Sequence, residues 1–165
     1  MFMYEIKKSS HLFSDKEREW LMGILDEYAK LQEGNWLNDV EYHKCEYFWC
    51  DAMNCDNGVL GARPLFGYSI YLAAIPNKSA FPEVVKDWIA SMSSIAIHEL
   101  RHLWQQEVYG KLLWSILRLP EVIPCFYGKV LIERDAIRIE EKAQKEIEKI
   151  VRGNSISLML AQSLI

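Results

Sequence analysis

The sequence predicts a helix-rich α+β fold, with a small, mainly antiparallel sheet set beside one buried helix. Three observations lead there. Apolar residues recur at helical spacing over 15–32, 83–110 and 129–152. Two stretches between them, Val40–Cys50 and Phe66–Ile75, are aromatic and β-prone. One helical stretch, Ser91–Gln106, is almost wholly apolar yet holds two histidines, a glutamate and an arginine. A helix that apolar should be buried, and buried ionisable groups persist only when paired or bound to a metal.

The elements follow in order. Ser14-Asp15-Lys16-Glu17 reads as a capping box, and Leu21, Ile24, Leu25 and Tyr28 give the first helix an apolar stripe that ends at Gly34-Asn35. The strand Val40–Cys50 gives way to turn material over Asp51–Gly58. In the second strand, Tyr68, Ile70, Leu72 and Ala74 share one face. Pro64 and Pro76 bracket it, as suits an edge strand. A plain sheet strand is the expectation, although such an edge can also take an extended peptide by strand addition. Pro82 opens the next helix, which runs through Ser91–Gln106 to Gly110, with a break allowed near Ser91–Ser94. Lys111–Arg118 is a short amphipathic helix, and Pro120 and Pro124 force a loop. In the last helix, Lys129–Arg152, Ile132, Ala136, Ile139, Ala143, Ile147 and Ile150 form the apolar stripe. Glu141–Lys145 and Glu148–Arg152 are spaced as ion pairs on its exposed side. The apolar SISLMLAQSLI at the end suits a docked segment or a subunit contact.

Composition narrows the function. The 165 residues, 50% hydrophobic and 25% charged, suit a single globular domain, 1–165, with room for a core. A net charge of −4 and a pI near 5.6 argue against nucleic acid as the main partner. MFMYEIKKSSHLF lacks a basic head followed by an apolar run, and no apolar stretch of about 18 residues is free of charge. A cytoplasmic protein that neither enters nor spans a membrane is the expectation. Cys45, Cys50 and Cys55 recur every five residues near His43, and Cys125 stands apart. That spacing lacks the short knuckle of structural zinc sites, so ordinary half-buried thiols are expected.

The chemistry concentrates in His98-Glu99-x-x-His102, the HExxH arrangement. Two imidazoles at i and i+4 differ by only about 40° around the helix axis and can reach one ion. Zinc bound there would lower the pKa of a water toward about 7, with Glu99 as the general base that takes its proton. A third protein ligand is required. Glu133 and Asp135 are the carboxylates near the start of the last helix; they flank its stripe at about 80° on opposite sides, so the helical wheel does not choose between them. The plain alternative is a pair of core histidines, with Glu99 paired to Arg101 or another base. Two imidazoles and a carboxylate are costly to bury without purpose, which favours the metal.

IAIHELRHLWQ, followed about 30 residues later by IERDAIRIEEKA, resembles the gluzincin branch of the zincin metallopeptidases. The style is that of small single-domain prokaryotic and phage members, including the ImmA/IrrE-like proteins. The resemblance covers residues 66–145 and leaves residues 1–60 outside it. It implies a zincin-like fold with Zn2+ held by His98, His102 and Glu133, since Glu133 and Ala136 match the family's E-x-x-A. The acidic or amide residue expected next is Ile137, a departure; Asp135 could take over its support of a histidine, or be the third ligand itself. The metzincin pattern fails, because Gln105 and Val108 stand where Gly and His are needed, and an all-histidine site would have to recruit His11 or His43.

The expected function is zinc-dependent hydrolysis of a peptide bond in a peptide or protein substrate, with Glu99 as base. Tyr109 and Tyr127 are close enough in sequence to be oxyanion donors, although packing is the plainer role for both. The alternative is a metal-binding zincin-like scaffold that acts as a protein-binding or regulatory module without cleaving.

Overall fold

The computed structural model of the chain describes residues 11–32, 34, 36–50, 59–62, 68–74, 82–118 and 131–153. The turn at 51–58, the flanking Pro64 and Pro76, the loop with Pro120 and Pro124, Tyr127, Cys55, Cys125 and the segment SISLMLAQSLI lie outside the described residues.

The elements run β1 (His11–Leu12), α1 (Asp15–Leu31), α2 (Trp36–Asp39), a 3-10 turn at Tyr42–Lys44, β2 (Glu46–Cys50), β3 (Val59–Ala62), β4 (Ser69–Ala73), α3 (Pro82–Tyr109), α4 (Lys111–Arg118) and α5 (Leu131–Gly153). This is the helix-rich α+β architecture. Ser14 caps α1 as its sequence foretells: its side chain accepts from the Glu17 N–H at 3.3 Å, and the Glu17 carboxylate accepts from the Ser14 N–H at 2.6 Å. The helix stops one residue short of the expected end, with Gln32 as its C-cap.

The sheet order is β1-β2-β4-β3 among the described residues. The sheet is mixed: β1–β2 and β3–β4 are antiparallel, while β2 and β4, the two strands the sequence marks, run parallel at the centre, Glu46 opposite Ser69 through Cys50 opposite Ala73. Two details differ from the sequence reading. The strand expected from Val40 begins only at Glu46, because the chain before it forms the 3-10 turn at Tyr42–Lys44, where Tyr42 is buried. The Arg18 guanidinium fastens that turn, donating to the carbonyls of Cys45, at 2.9 Å, and of His43. Second, β4 is not an edge strand. The short β3 pairs along its far side, Val59 opposite Leu72 through Ala62 opposite Ser69.

Ile70 and Leu72 of β4 face the core, and Tyr71 on the other face stacks on its cross-strand neighbour Phe48 at 5.0 Å. An aromatic cluster joins sheet to helices: Phe13 stacks on Trp49 at 4.0 Å, and Trp49 on Trp88 of α3 at 5.0 Å. Helix α3 is the hub. It touches β4 and every other helix, most extensively α5. It runs unbroken, roughly 42 Å at 1.5 Å per residue. No break is needed at Ser91–Ser94, because the Ser94 hydroxyl donates back to the Ser91 carbonyl at 2.8 Å inside the helix. Gly110, at φ +74°, lies in the left-handed region that side chains disfavour, and there the chain turns from α3 into α4.

Val85, Ile89, Ile97 and Leu100 carry the apolar side of α3 into the core. Leu100 is wholly buried. Leu100→Ala is therefore expected to cost about 2–5 kcal/mol, read as a lower denaturant midpoint at unchanged slope. On α5, Ile132, Ala136, Ala143 and Ile147 are buried as the stripe requires, and Glu133 and Val151 join them. The expected Glu148–Arg152 pair is not how these groups spend their charge: Gln144 donates to Glu148 at 3.3 Å, and Arg152 reaches across to Asp87 of α3 at 2.9 Å.

Candidate metal centre

Helices α3 and α5 bring three side chains to one buried point. His98 and His102 come from successive turns of α3, and Glu133 from the first turn of α5. Glu133 is 4% exposed, and both histidines are buried. Their Nε2 atoms face each other at 3.1 Å; Glu133 sets Oε1 3.3 Å from His98 Nε2 and Oε2 3.2 Å from His102 Nε2. Among the described residues this is the one group of three or more His, Cys, Asp or Glu side chains close enough to share an ion.

The remaining ring nitrogens are held from outside. His98 Nδ1 donates to Glu140 Oε2 at 2.8 Å, and His102 Nδ1 to Gln105 Oε1 at 3.0 Å. A proton held on Nδ1 leaves the Nε2 lone pair free to bind a metal. Asp135, the other candidate ligand, is turned away. It accepts from Arg101 Nε at 2.7 Å and from Gln105 Nε2 at 3.1 Å. The Arg101 guanidinium is in turn stacked over Trp104, 3.8 Å from the ring centroid, and lies 5.0 Å from that of Trp36.

Charge in the pocket is lopsided. Burial pushes His98 down, but Glu133, Glu140 and the nearby Glu99 surround it with negative charge and hold it up at about 10. Burial pushes Glu133 up, and the two imidazoles overrule it, keeping the carboxyl well below its usual range. The negative charge that raises His98 also favours a metal cation, which would take the place of the imidazolium proton on binding.

The residues present fit zinc. Two donor atoms each about 2.05 Å from a tetrahedral ion stand about 3.3 Å apart, and the three separations here are 3.1, 3.2 and 3.3 Å. Two neutral-capable imidazoles and one carboxylate form a donor set that suits zinc and leaves a fourth position to water.

Other candidates lie elsewhere. Glu99 is half-buried beside His98 on α3, and its charge reaches that imidazole. Tyr109 is exposed at the end of α3. His11 is exposed on β1, and His43 pairs with Asp26 at 3.1 Å, so neither joins an all-histidine site. Cys45 and Cys50 are both buried. Burial raises the Cys45 thiol to about 11, against the nearby Arg18, which keeps it protonated and a poor ligand at neutral pH. Two contributors escaped the sequence reading. Glu140 follows Glu133 by seven residues, two turns along the same face, and Gln105 follows His102 by three. Those spacings were the available signals.

Fold and site together define a helix-rich α+β protein with a buried His-His-Glu cluster shared by two helices. Compared with known proteins, the chain matches no family model, no curated protein and no solved structure.

Proposed function

We propose that this protein is a zinc-dependent metallopeptidase of the gluzincin type, acting on a peptide or protein substrate. The observation that carries the reading is the mutual spacing of His98 Nε2, His102 Nε2 and the Glu133 carboxylate, with both Nδ1 atoms already engaged. Two Nε2 atoms 3.1 Å apart, each within 3.3 Å of the same carboxylate, converge on one point that suits a shared cation.

Bound zinc would supply a Lewis acid that acidifies a water and polarises a substrate carbonyl. The chain's own residues do the rest. His98, His102 and Glu133 hold the metal from rigid helices, and Glu140 and Gln105 keep both imidazoles in the binding orientation. Glu99, one residue after His98 and half-buried, takes the proton from the water and passes it to the leaving amine. Asp135 stays with Arg101 and Gln105 and takes no part in the proton transfer.

No helix among the described residues is long and apolar enough to cross a membrane. The proposal is tested by incubating the purified protein with a diverse peptide library and mapping cleavage by mass spectrometry. Cleavage that stops with chelator and returns with zinc is the expected result. Zinc retained with no peptide cut would favour the non-cleaving scaffold.

A further inference from the structure

We infer that Gln105 is a positioning residue that locks two metal ligands at once, fixing the His102 ring and the ligand-bearing first turn of α5. The inference rests on reading His98, His102 and Glu133 as metal ligands. It comes from the direction in which hydrogen bonds must run. Gln105 is 1% exposed, so each of its polar atoms needs a partner inside the protein. Its nitrogen lies 2.8 Å from the Ile132 carbonyl and 3.1 Å from Asp135 Oδ2. The Ile132 carbonyl can only accept, and so can Asp135 while it is paired with Arg101 at 2.7 Å. The amide therefore has one allowed orientation, with NH2 toward α5 and Oε1 toward His102.

The consequence passes to the metal site. Oε1 only accepts, so the bond of 3.0 Å to His102 must be donated by an Nδ1–H. With a proton fixed on Nδ1, Nε2 is the nitrogen left to take a metal, in place of its metal-free contact with Glu133. A flipped amide would aim NH2 at the ring and leave two acceptors facing an oxygen. The same side chain also binds the carbonyl of Ile132, the residue before Glu133, and so ties the third ligand's backbone to α3. Asp135 holds the amide in this sense, and Arg101 holds Asp135 from its place against Trp104 and Trp36. His98 needs no such chain, since Glu140 contacts it directly.

The test pairs zinc affinity, measured by competition with a chromophoric chelator, with the ring tautomer of His102 in the metal-free protein. The tautomer is read from long-range proton–nitrogen NMR correlations at a pH where that ring is neutral. Wild type should show His102 protonated on Nδ1. Gln105→Leu, close in volume, should weaken zinc binding about 10- to 100-fold and admit the Nε2–H tautomer. Asp135→Ala, which leaves Gln105 in place but frees its amide to turn, should shift both readouts the same way by less. A wild-type His102 protonated on Nε2 overturns the inference. So does a folded Gln105→Leu that loses thermal stability while keeping wild-type zinc affinity and tautomer, the mark of a purely structural role. Should Gln105→Leu not fold, the wild-type tautomer decides. A wild type that binds no zinc yet shows the Nδ1–H form, lost in Gln105→Leu, would remove the metal reading and leave the positioning role of Gln105 standing.

Discussion

Glu99→Gln is expected to keep its zinc and lose peptide cleavage by about two to four orders of magnitude, the usual contribution of a positioned general base. Glu99 belongs to the same helix as both histidine ligands but is not among the three grouped donors, so its carboxylate can be neutralised without removing a ligand. Glutamine preserves size and helix preference while lacking a basic oxygen. Metal content by elemental analysis and cleavage rate on the best library peptide together check the expectation. Equal rates in the two proteins would take the base away from Glu99. Loss of zinc along with activity would mean that the residue serves the site rather than the reaction.

The second large effect is thermal. Four ionisable groups, His98, His102, Glu133 and Glu140, meet within the site, where each pays to leave water. A metal that binds only the folded form stabilises it by about 4 kcal/mol when present at a thousand times its dissociation constant. For a chain of this size each kcal/mol moves Tm by about 2–4 °C, so chelation should lower Tm by about 8–16 °C. Calorimetry with and without chelator measures this directly. Glu133→Ala should abolish the chelator's effect. Asp135→Ala should retain most of it, because Asp135 faces Arg101 and Gln105 rather than the imidazoles.

What the sequence made legible was local. The Ser14–Glu17 cap and the His98-Glu99-x-x-His102 face each lie within one or two helical turns, where residue spacing alone sets geometry. The choice between Glu133 and Asp135 could not be made that way. Both flank the stripe of α5 at similar angles, and what separates them is the neighbour each meets on α3: two imidazoles for one, Arg101 and Gln105 for the other. The same limit hid Glu140, since a carboxylate on an otherwise exposed-looking helix gains its role only from His98 opposite. In the sheet, the four-residue β3 was too short for its alternation to register, and without it β4 read as an edge. The parallel pairing of β2 with β4 depends on β3 folding back between them in sequence but outside them in space. The contacts to the ring Nδ1 atoms come from Glu140 for His98 and Gln105 for His102, rather than from position 137 or Asp135.

The central claim is that His98, His102 and Glu133 hold one zinc ion. A crystal of protein purified without chelator, measured for anomalous scattering across the zinc edge, tests it most directly. The account predicts one zinc per chain, about 2.0–2.1 Å from His98 Nε2 and His102 Nε2 and about 2.0–2.2 Å from a Glu133 carboxylate oxygen. No anomalous peak between α3 and α5, or a peak coordinated by Asp135 in place of Glu133, would contradict it.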